Sequence, residues 1–245
     1  MSTKSVLILG AKSDIAKSLA EVYADAGFFV QLACRDSQEL DSFCQHLKVK
    51  YQVQAELYDL DVNNTTGISG FMDGLSCLPD VLISAIGLLG DQNQAEQDLE
   101  HCLSIVNTNY AHLIGFINQF ANAFEERGSG SIVGISSVAG DRGRKSNYIY
   151  GSAKAGFTAY LSGLRNRLES KGVHVMTVKP GFVNTAMTKG MDLPEKLTAQ
   201  PNQVAEVIFK AERKQKDVIY TLWFWRWIML IIAHIPERIF KKLSI

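Results

Sequence analysis

The stretch from Gly130 to Phe157 reads GSIVGISSVAGDRGRKSNYIYGSAKAGF and combines a strand pattern, a polar loop and a helix pattern. The apolar run at 131–136 ends in two serines, Ser136 and Ser137. A polar, glycine-containing loop then leads into an amphipathic helix that begins near Tyr148. In open α/β sheets, ligands bind where strands end and the next helices begin. This stretch therefore predicts a parallel sheet and also the position of its active site.

Tyr150 and Lys154 are one helical turn apart, so a helix places both side chains on one face. A tyrosine has a pKa of about 10. A unit positive charge about 4 Å away is worth roughly 4 kcal/mol at an effective dielectric near 20, although burial of the phenol opposes it. We therefore expect Lys154 to lower the pKa of Tyr150. Tyr148 lacks such a partner, because Ser152 lies four residues after it.

Working outward from this stretch, short apolar runs alternate with helical patterns along the chain. Strands are predicted at 6–9, 28–34, 51–57, 81–85, 131–136, 173–179 and 218–221. Helices are predicted at 14–26, 37–49, 65–74, 94–125, 148–170 and 202–214. This alternation predicts an α/β fold with a doubly wound, seven-stranded parallel sheet. We assign residues 1–221 to one nucleotide-binding domain and treat 222–245 as its C-terminal tail.

Composition narrows the class of protein. The chain has 245 residues, 47% apolar and 20% charged, which suits one domain with a large core. Its 25 basic residues equal its 25 acidic residues, so no positive field favours nucleic acid. Cys34, Cys44, Cys77 and Cys102 form no C-x-x-C motif, which predicts reduced thiols and no metal site. The N-terminus lacks a signal-peptide pattern, and we expect a cytoplasmic protein.

The first strand pattern and the helix after it read VLILGAKSDIA at residues 6–16. Gly10 suits a tight turn, and the helix N-terminus can hold a pyrophosphate. A Gly-x-x-x-Gly-x-Gly pattern would place glycines at the positions of Asp14 and Ala16. Because a carboxylate repels pyrophosphate, we expect Asp14 to point towards solvent or a neighbouring loop. An ordinary strand–helix turn is the alternative.

The end of the second strand bears on the choice of dinucleotide. An acid at this place selects NAD, whereas an arginine accommodates the 2′-phosphate of NADP. Arg35 occupies the place here, and Lys12 adds a cation from the first turn. NADP is preferred and NAD stays open, since Arg35 could instead stack on adenine or pair with Asp36. Asp61 could contact adenine or cap the following helix.

Motifs in a fixed order carry a family resemblance over nearly the whole chain. They are Gly10-Ala-x-x-x-Ile15, Asp61-Val62, Ala85-x-Gly87, Asn109, Ser137, Tyr150-x-x-x-Lys154 and Pro180-Gly-Phe-Val-Asn-Thr185. With these motifs the chain resembles the short-chain dehydrogenase/reductases. It departs from them at Asp14, at Ala16 and at Ser84-Ala-Ile-Gly87, where Asn-Asn-Ala-Gly is usual.

The resemblance implies reversible hydride transfer between a nicotinamide and a carbonyl. A catalytic tetrad is implied at Asn109, Ser137, Tyr150 and Lys154. Tyr150 would donate the proton, Ser137 would steady the developing alkoxide, and Lys154 would also bind the nicotinamide ribose. Asn109 would order a water, unless it only satisfies backbone groups inside a helix. Cofactor contacts are implied at Gly10, Lys12, Ser13, Asp14, Ile15, Arg35, Asp61, Val62, Ala85, Gly87, Tyr150, Lys154, Pro180, Gly181, Val183 and Thr185.

Three further segments, at 85–91, 140–151 and 234–245, are similar to a narrower branch. It is the reductase half of the decaprenylphosphoryl-β-D-ribose 2-epimerase system. This implies reduction of a polyprenyl-phosphate-linked keto-sugar for cell-wall biogenesis, with a flavoprotein oxidase as partner. A reductase of acyl or steroid-like ketones is the alternative. A non-catalytic nucleotide-sensing scaffold is the rival from another class, although a scaffold has no need of Tyr150 beside Lys154.

The tail reads WFWRWIMLIIAHI at 223–235 and is interrupted only by Arg226 and His234. As a helix it would be about 20 Å long, which is too short for a bilayer core of about 30 Å. Its tryptophans, with basic residues up to 242, suit an interfacial helix at the inner face of a membrane. The alternatives are burial in a homo-oligomer, which we also expect, or beneath a substrate loop at 182–200.

Overall fold

The computed structural model describes residues 3–64 and 68–243, and its central feature is a parallel sheet. Nine strands are formed within these residues: β1 Ser5–Leu9, β2 Phe29–Cys34, β3 Ala55–Asp59, β4 Val81–Ser84, β5 Gly130–Ile135, β6 Val173–Lys179, β7 Phe182–Val183, β8 Thr198–Ala199 and β9 Val218–Tyr220. Seven of them form one sheet in the order β3-β2-β1-β4-β5-β6-β9, and every pairing is parallel. The predicted seven-stranded, doubly wound sheet is confirmed.

The helices connect these strands. Within the described residues they are α1 Asp14–Asp25, α2 Asp41–Tyr51, α3 Ile68–Phe71, α4 Gln92–Ala95, α5 Leu99–Val106, α6 His112–Arg127, α7 Tyr148–Leu168, α8 Pro201–Glu212, α9 Phe224–His234 and α10 Glu237–Phe240. The third strand was predicted to begin at Tyr51, which is wrong because α2 extends to that residue. Residues 65–67 of the predicted helix 65–74 lie outside the described residues.

The predicted helix 94–125 is divided into several elements. The Asp98 carboxylate accepts hydrogen bonds from the backbone amides of Glu100 and His101, so it starts a new helix there. A π-helical turn at Asn107–Ala111 then separates α5 from α6. Turns of this kind often mark functional sites. This one carries Asn109.

The core lies on both faces of the sheet. On one face, Val6 and Ile8 of β1 pack in a cluster with residues of α1, α2 and α8. On the other face, Leu7 and Leu9 pack in a cluster with residues of α6 and α7. Both faces of β1 are therefore covered, which explains its unbroken apolar run. The strand order reverses between β1 and β4, and the carboxyl ends of these two strands border a crevice.

The C-terminal tail folds back onto the domain. Trp225 and Met229 of α9 are buried and share a cluster with Val138. Trp227 and Ile231 of the same helix are exposed, and so is Trp223 directly before it. The predicted burial beneath the substrate loop is therefore correct for one face of the helix only. In the part of the chain that the structure describes, no helix is long and apolar enough to cross a membrane.

Candidate active site

A cleft of about 960 Å³ opens at the carboxyl ends of the central strands. It is lined by most of the residues that the sequence predicted: Lys12, Ser13, Asp14, Ile15, Ala85, Gly87, Ser137, Tyr150, Lys154, Pro180, Gly181, Val183 and Thr185. Residues 12–15 and 85–87 form one side, which we call the turn wall. Residues 138–147 and 180–191 form the other side, which we call the loop wall, and α9 packs behind it.

The remaining predicted residues lie outside the cleft lining. They are Gly10, Arg35, Asp61, Val62 and Asn109. Gly10 lies behind the turn wall, where its φ of 77° would strain any other residue. A Cβ there would also lie 3.0 Å from the backbone of Ala85. Asp61 follows β3 by two residues, and its side chain accepts a hydrogen bond from the Asn63 amide.

Tyr150, Ser137 and Lys154 meet between the two walls. Burial raises the pKa of Tyr150 to about 12, and a hydrogen bond with Ser137 lowers it by less. The expected lowering of the Tyr150 pKa by Lys154 is therefore wrong. The Lys154 ammonium lies 5.8 Å from the centre of the tyrosine ring and donates to the carbonyl oxygens of Ile135 (3.1 Å) and Ile86 (3.3 Å). Its own pKa is lowered to about 8 by burial.

Ser136 has a different place from its neighbour Ser137. Its hydroxyl donates to the carbonyl oxygen of Lys154 at 3.0 Å and lies 2.7 Å from the Thr158 hydroxyl. These bonds fix α7 to the end of β5. Gly140 allows the same close approach, because a Cβ there would lie 2.8 Å from the backbone of Lys154 and Ala155. Ser136 and Gly140 therefore allow the end of β5 and the helix α7 to lie close together.

Asn109 is fully buried behind the turn wall. Its Nδ2 donates to the carbonyl oxygens of Leu88 (2.7 Å) and Ile105 (2.8 Å). Its Oδ1 accepts from the Leu88 amide at 3.2 Å. The side chain thus fixes the segment after β4, as the alternative interpretation expected. A Cβ on Gly87 would lie 3.5 Å from the Asn109 Oδ1 and 3.6 Å from the Lys154 Nζ.

The turn wall has the features that a dinucleotide requires. Ser13 caps α1, since its Oγ accepts from the Ala16 amide at 3.2 Å. The Asp14 carboxylate is turned to a neighbouring loop, as expected, and accepts from the Ala186 amide at 2.7 Å. The N-terminus of α1 is therefore open to an anion. Gly87 keeps the space beside Lys154 free of a side chain, so the residues present fit a dinucleotide.

The two cations near the end of β2 differ in their partners. Lys12 forms ion pairs with Glu39 (2.9 Å) and Asp36 (3.6 Å). Arg35 is exposed and forms no ion pair or hydrogen bond with any residue within 3–64 or 68–243. Lys12 is thus partly neutralised, whereas the Arg35 guanidinium is available.

The cleft contains residues that the sequence interpretation missed. Gln92 lies at the start of α4, and Arg144, Asn147, Met187 and Met191 lie on the loop wall. Thr185 also lies here, and its backbone amide donates to the Thr188 Oγ1 at 3.1 Å. A Cβ on Gly181 would lie 2.0 Å from the Trp225 ring. The only sequence signal for this contact was the apolar tail itself, and that signal did not name the glycine.

Known proteins are similar to this chain in sequence and in architecture. The sequence profile described as short chain dehydrogenase matches residues 4–196. An uncharacterized oxidoreductase of Mycobacterium tuberculosis is 32% identical over 241 residues, which cover 97% of this chain and 96% of the relative. An acetoacetyl-CoA reductase of Allochromatium vinosum is 29% identical over 221 residues, which cover 82% and 88%.

Among solved structures, a short-chain dehydrogenase from Sphingobium yanoikuyae in complex with NADPH has the same fold. Its TM-score is 0.82 at 24% identity, and the match covers 96% of this chain and 97% of the other. The profile match and the 32% identical relative both extend across the strands, the cleft and the Tyr150–Lys154 helix. The chain therefore belongs to the short-chain dehydrogenase family of oxidoreductases.

Proposed function

We propose that this protein uses NADPH to reduce a ketone to a secondary alcohol, with NADH as the less favoured cofactor. The observation that carries the proposal is the meeting of Tyr150, Ser137 and Lys154 in a cleft beside the open N-terminus of α1. When bound, the nicotinamide would supply a hydride to the carbonyl carbon. Arg35 supports the choice of NADPH, because its unpaired guanidinium suits a 2′-phosphate.

The proposed role of Tyr150 is to give a proton to the ketone oxygen. With a pKa of about 12 the phenol keeps its proton at neutral pH, and a protonated phenol is the form that reduction needs. Ser137 would donate a hydrogen bond to the same oxygen as negative charge develops there. Lys154 would place its positive charge near the Tyr150 phenol. Asn109 would hold the Leu88 backbone in position.

For the substrate we propose a polyprenyl-phosphate-linked keto-sugar. Three features support it: the resemblance of segments 85–91, 140–151 and 234–245, a cleft at the upper end of the usual size for ligands, and the two walls' mixture of polar and apolar groups. Asn147 suits a sugar hydroxyl, because its Oδ1 is buried without a hydrogen-bond partner among the described residues. Met187 and Met191 suit a chain of isoprene units. A flavoprotein oxidase would supply the ketone for cell-wall biogenesis.

We further propose that α9 brings the protein to the inner face of a membrane. Trp223, Trp227, Leu230 and Ile231 are each about half exposed or more. The neighbouring basic side chains would meet anionic lipid headgroups. A second copy of the chain is the alternative occupant of this surface.

Tyr150→Phe tests the reaction. NADPH oxidation would be followed with a panel containing a short polyprenyl-phosphate keto-pentose, an acyl-CoA ketone and a neutral bulky ketone. We expect turnover to fall about 10²- to 10⁴-fold while the NADPH dissociation constant stays unchanged. Tyr148→Phe is the matched control, since this phenol is exposed and should keep full activity. Near-normal turnover of the Tyr150 variant would reject the proposed mechanism.

The membrane proposal has its own test. Trp227→Ser with Ile231→Ser would be compared with the wild type in flotation on vesicles of phosphatidylglycerol and phosphatidylcholine. We expect the wild type to float with anionic vesicles and the double variant to stay at the bottom. If neither floats and only the wild type is a dimer by light scattering, the surface binds a second copy instead.

A further inference from the structure

Arg144 is a half-buried cation of the loop wall, and the proposed reaction leaves it without a role. It lines the cleft on the loop between Ser137 and Tyr150. Its Nη2 has only two distant acceptors, the Val138 carbonyl oxygen at 3.4 Å and the Met229 sulfur at 3.6 Å. Its Nε is buried and has no hydrogen-bond partner among the described residues. A guanidinium has five N–H donors, so most of its capacity is unused.

The acids near Arg144 are bound to other donors. Asp141, the one acid that acts on its pKa, accepts from the Lys179 ammonium (2.5 Å) and the Tyr220 hydroxyl (2.9 Å). Of the acids that line the cleft, Asp14 accepts from the Ala186 amide and Asp91 from the Gln94 amide. Within the described ranges, none of these carboxylates forms an ion pair with Arg144. A partly buried cation without a counter-ion is costly, which indicates that a ligand supplies the negative charge.

Arg142, two residues earlier on the same loop, shows what a structural arginine looks like here. Its Nη2 forms an ion pair with Glu237 at 2.6 Å, and its Nη1 donates to the Ala233 carbonyl oxygen at 3.1 Å. Its guanidinium also lies 4.2 Å from the centre of the Phe240 ring. Arg142 thus holds the tail against the domain. Arg144 has none of these strong partners, although it touches the same tail at Met229.

We propose that Arg144 binds an anionic phosphate group of the substrate, whose apolar chain lies along Met187 and Met191 of the same loop wall. This inference rests on the proposed reductase function and names the substrate class of the same cleft. A guanidinium presents paired N–H groups that match phosphate oxygens, so one side chain both neutralises and orients the group. The apolar side chains of Phe182, Met187 and Met191 in the cleft favour an amphiphilic phosphate over a free sugar phosphate.

Binding of two probes separates charge from apolar contact. Calorimetry would compare geranyl phosphate with geraniol on the NADPH-loaded wild type, on Arg144→Met and on Arg213→Met, which removes an exposed cation outside the cleft. We expect the wild type to bind geranyl phosphate about 10- to 100-fold more tightly than geraniol, the range for a charge-assisted bond. Arg144→Met should lose this preference, and Arg213→Met should keep it. Ribose 5-phosphate should bind much more weakly than geranyl phosphate.

Some results would overturn the inference. Equal affinity of the wild type for both probes would do so, as would an Arg144→Met variant that keeps the phosphate preference. If Arg144→Met weakens both probes equally and lowers the melting temperature, the residue is structural. Because binding is measured without turnover, a protein that reduces no ketone but shows the phosphate preference refutes only the reductase proposal. In an active protein, Arg144→Met should raise the KM of the phosphate-linked ketone with little change in kcat.

Discussion

The turn wall and the loop wall of the cleft are built in different ways. The turn wall consists of the segments that directly follow β1 and β4, so the hydrogen-bonded sheet fixes its backbone. Glycines lie at its close approaches, with Gly87 in the wall and Gly10 directly behind it. The loop wall consists of longer segments outside the large sheet, and a tail helix more than 30 residues further along the chain supports it.

Because of this difference, the turn wall suits cofactor binding and the loop wall suits substrate binding. A wall fixed by the sheet offers the same backbone amides to any dinucleotide, whatever the substrate. In a wall made of loops, substitutions can change the side chains without disturbing the sheet. The proposed catalytic groups lie between them, just after β5 and on α7. We therefore expect damage to the loop wall to affect substrate and stability, and damage to the turn wall to affect cofactor binding.

The largest expected effect comes from removing the side chain that supports the loop wall. Trp225→Ala removes a ring that contacts Gly181 and lies 5.3 Å from the Phe182 ring centre. Loss of a buried tryptophan should lower the free energy of unfolding by about 3–5 kcal/mol. Chemical denaturation would measure the change.

Trp227→Ala is the matched control, because it lies on the same helix with 55% of its surface exposed. It should change the free energy of unfolding by less than about 0.5 kcal/mol. Equal effects of the two substitutions would mean that α9 does not support the loop wall.

The same division explains how far the sequence could be interpreted. The individual strands, the turn at Gly10 and the pair Tyr150–Lys154 are local patterns, and each was predicted from a short run of neighbouring residues. The parallel sheet followed from the alternation of strand and helix patterns along the chain. The family resemblance then named the remaining cleft residues of the turn wall, among them Ile15, Ala85 and Gly87.

Contacts between distant parts of the chain were not predictable in this way. Nothing near Gly181 in the sequence shows that Trp225 will lie on it. The pKa of Tyr150 was predicted with the wrong direction, because the charge of Lys154 was weighed more heavily than burial. In the structure the Lys154 ammonium is directed to two backbone carbonyl groups, and desolvation decides the result. Arg144 was missed because an arginine in a polar loop is usually a solvated side chain.

The second expected effect concerns the groups between the walls. Burial lowers the pKa of Lys154 to about 8, so its ammonium is charged below this pH and loses its proton above it. The Tyr150 phenol stays protonated over the same range. If the charge of Lys154 supports reduction, kcat/KM should be level up to about pH 7.5 and then fall about tenfold for each further pH unit.

Steady-state reduction across this pH range would measure the profile, with a melting temperature at each pH to exclude unfolding. A decline that begins only near pH 10, where an ordinary lysine titrates, would contradict the buried position of Lys154.

The smallest expected effect concerns the negative charge of Asp14 on the turn wall. Asp14 carries a negative charge at the N-terminus of α1, where the proposed pyrophosphate would bind. Asp14→Asn removes the charge, and the amide oxygen can still accept from the Ala186 amide. NADPH should then bind about two- to fivefold more tightly, which is the size of one charge interaction near solvent. Fluorescence titration would measure the dissociation constant.

Asp91→Asn is the control, at a carboxylate of the cleft that lies outside the turn wall. Asp91 also lines the cleft and caps a short helix through the Gln94 amide, so the two substitutions remove similar carboxylates. If the walls have separate tasks, this substitution should leave the affinity for NADPH unchanged. Weaker binding of NADPH by Asp14→Asn than by the wild type would contradict this prediction. The link from α1 to the 185–188 segment would then matter more than charge repulsion, and the turn wall would depend on the loop wall for its shape.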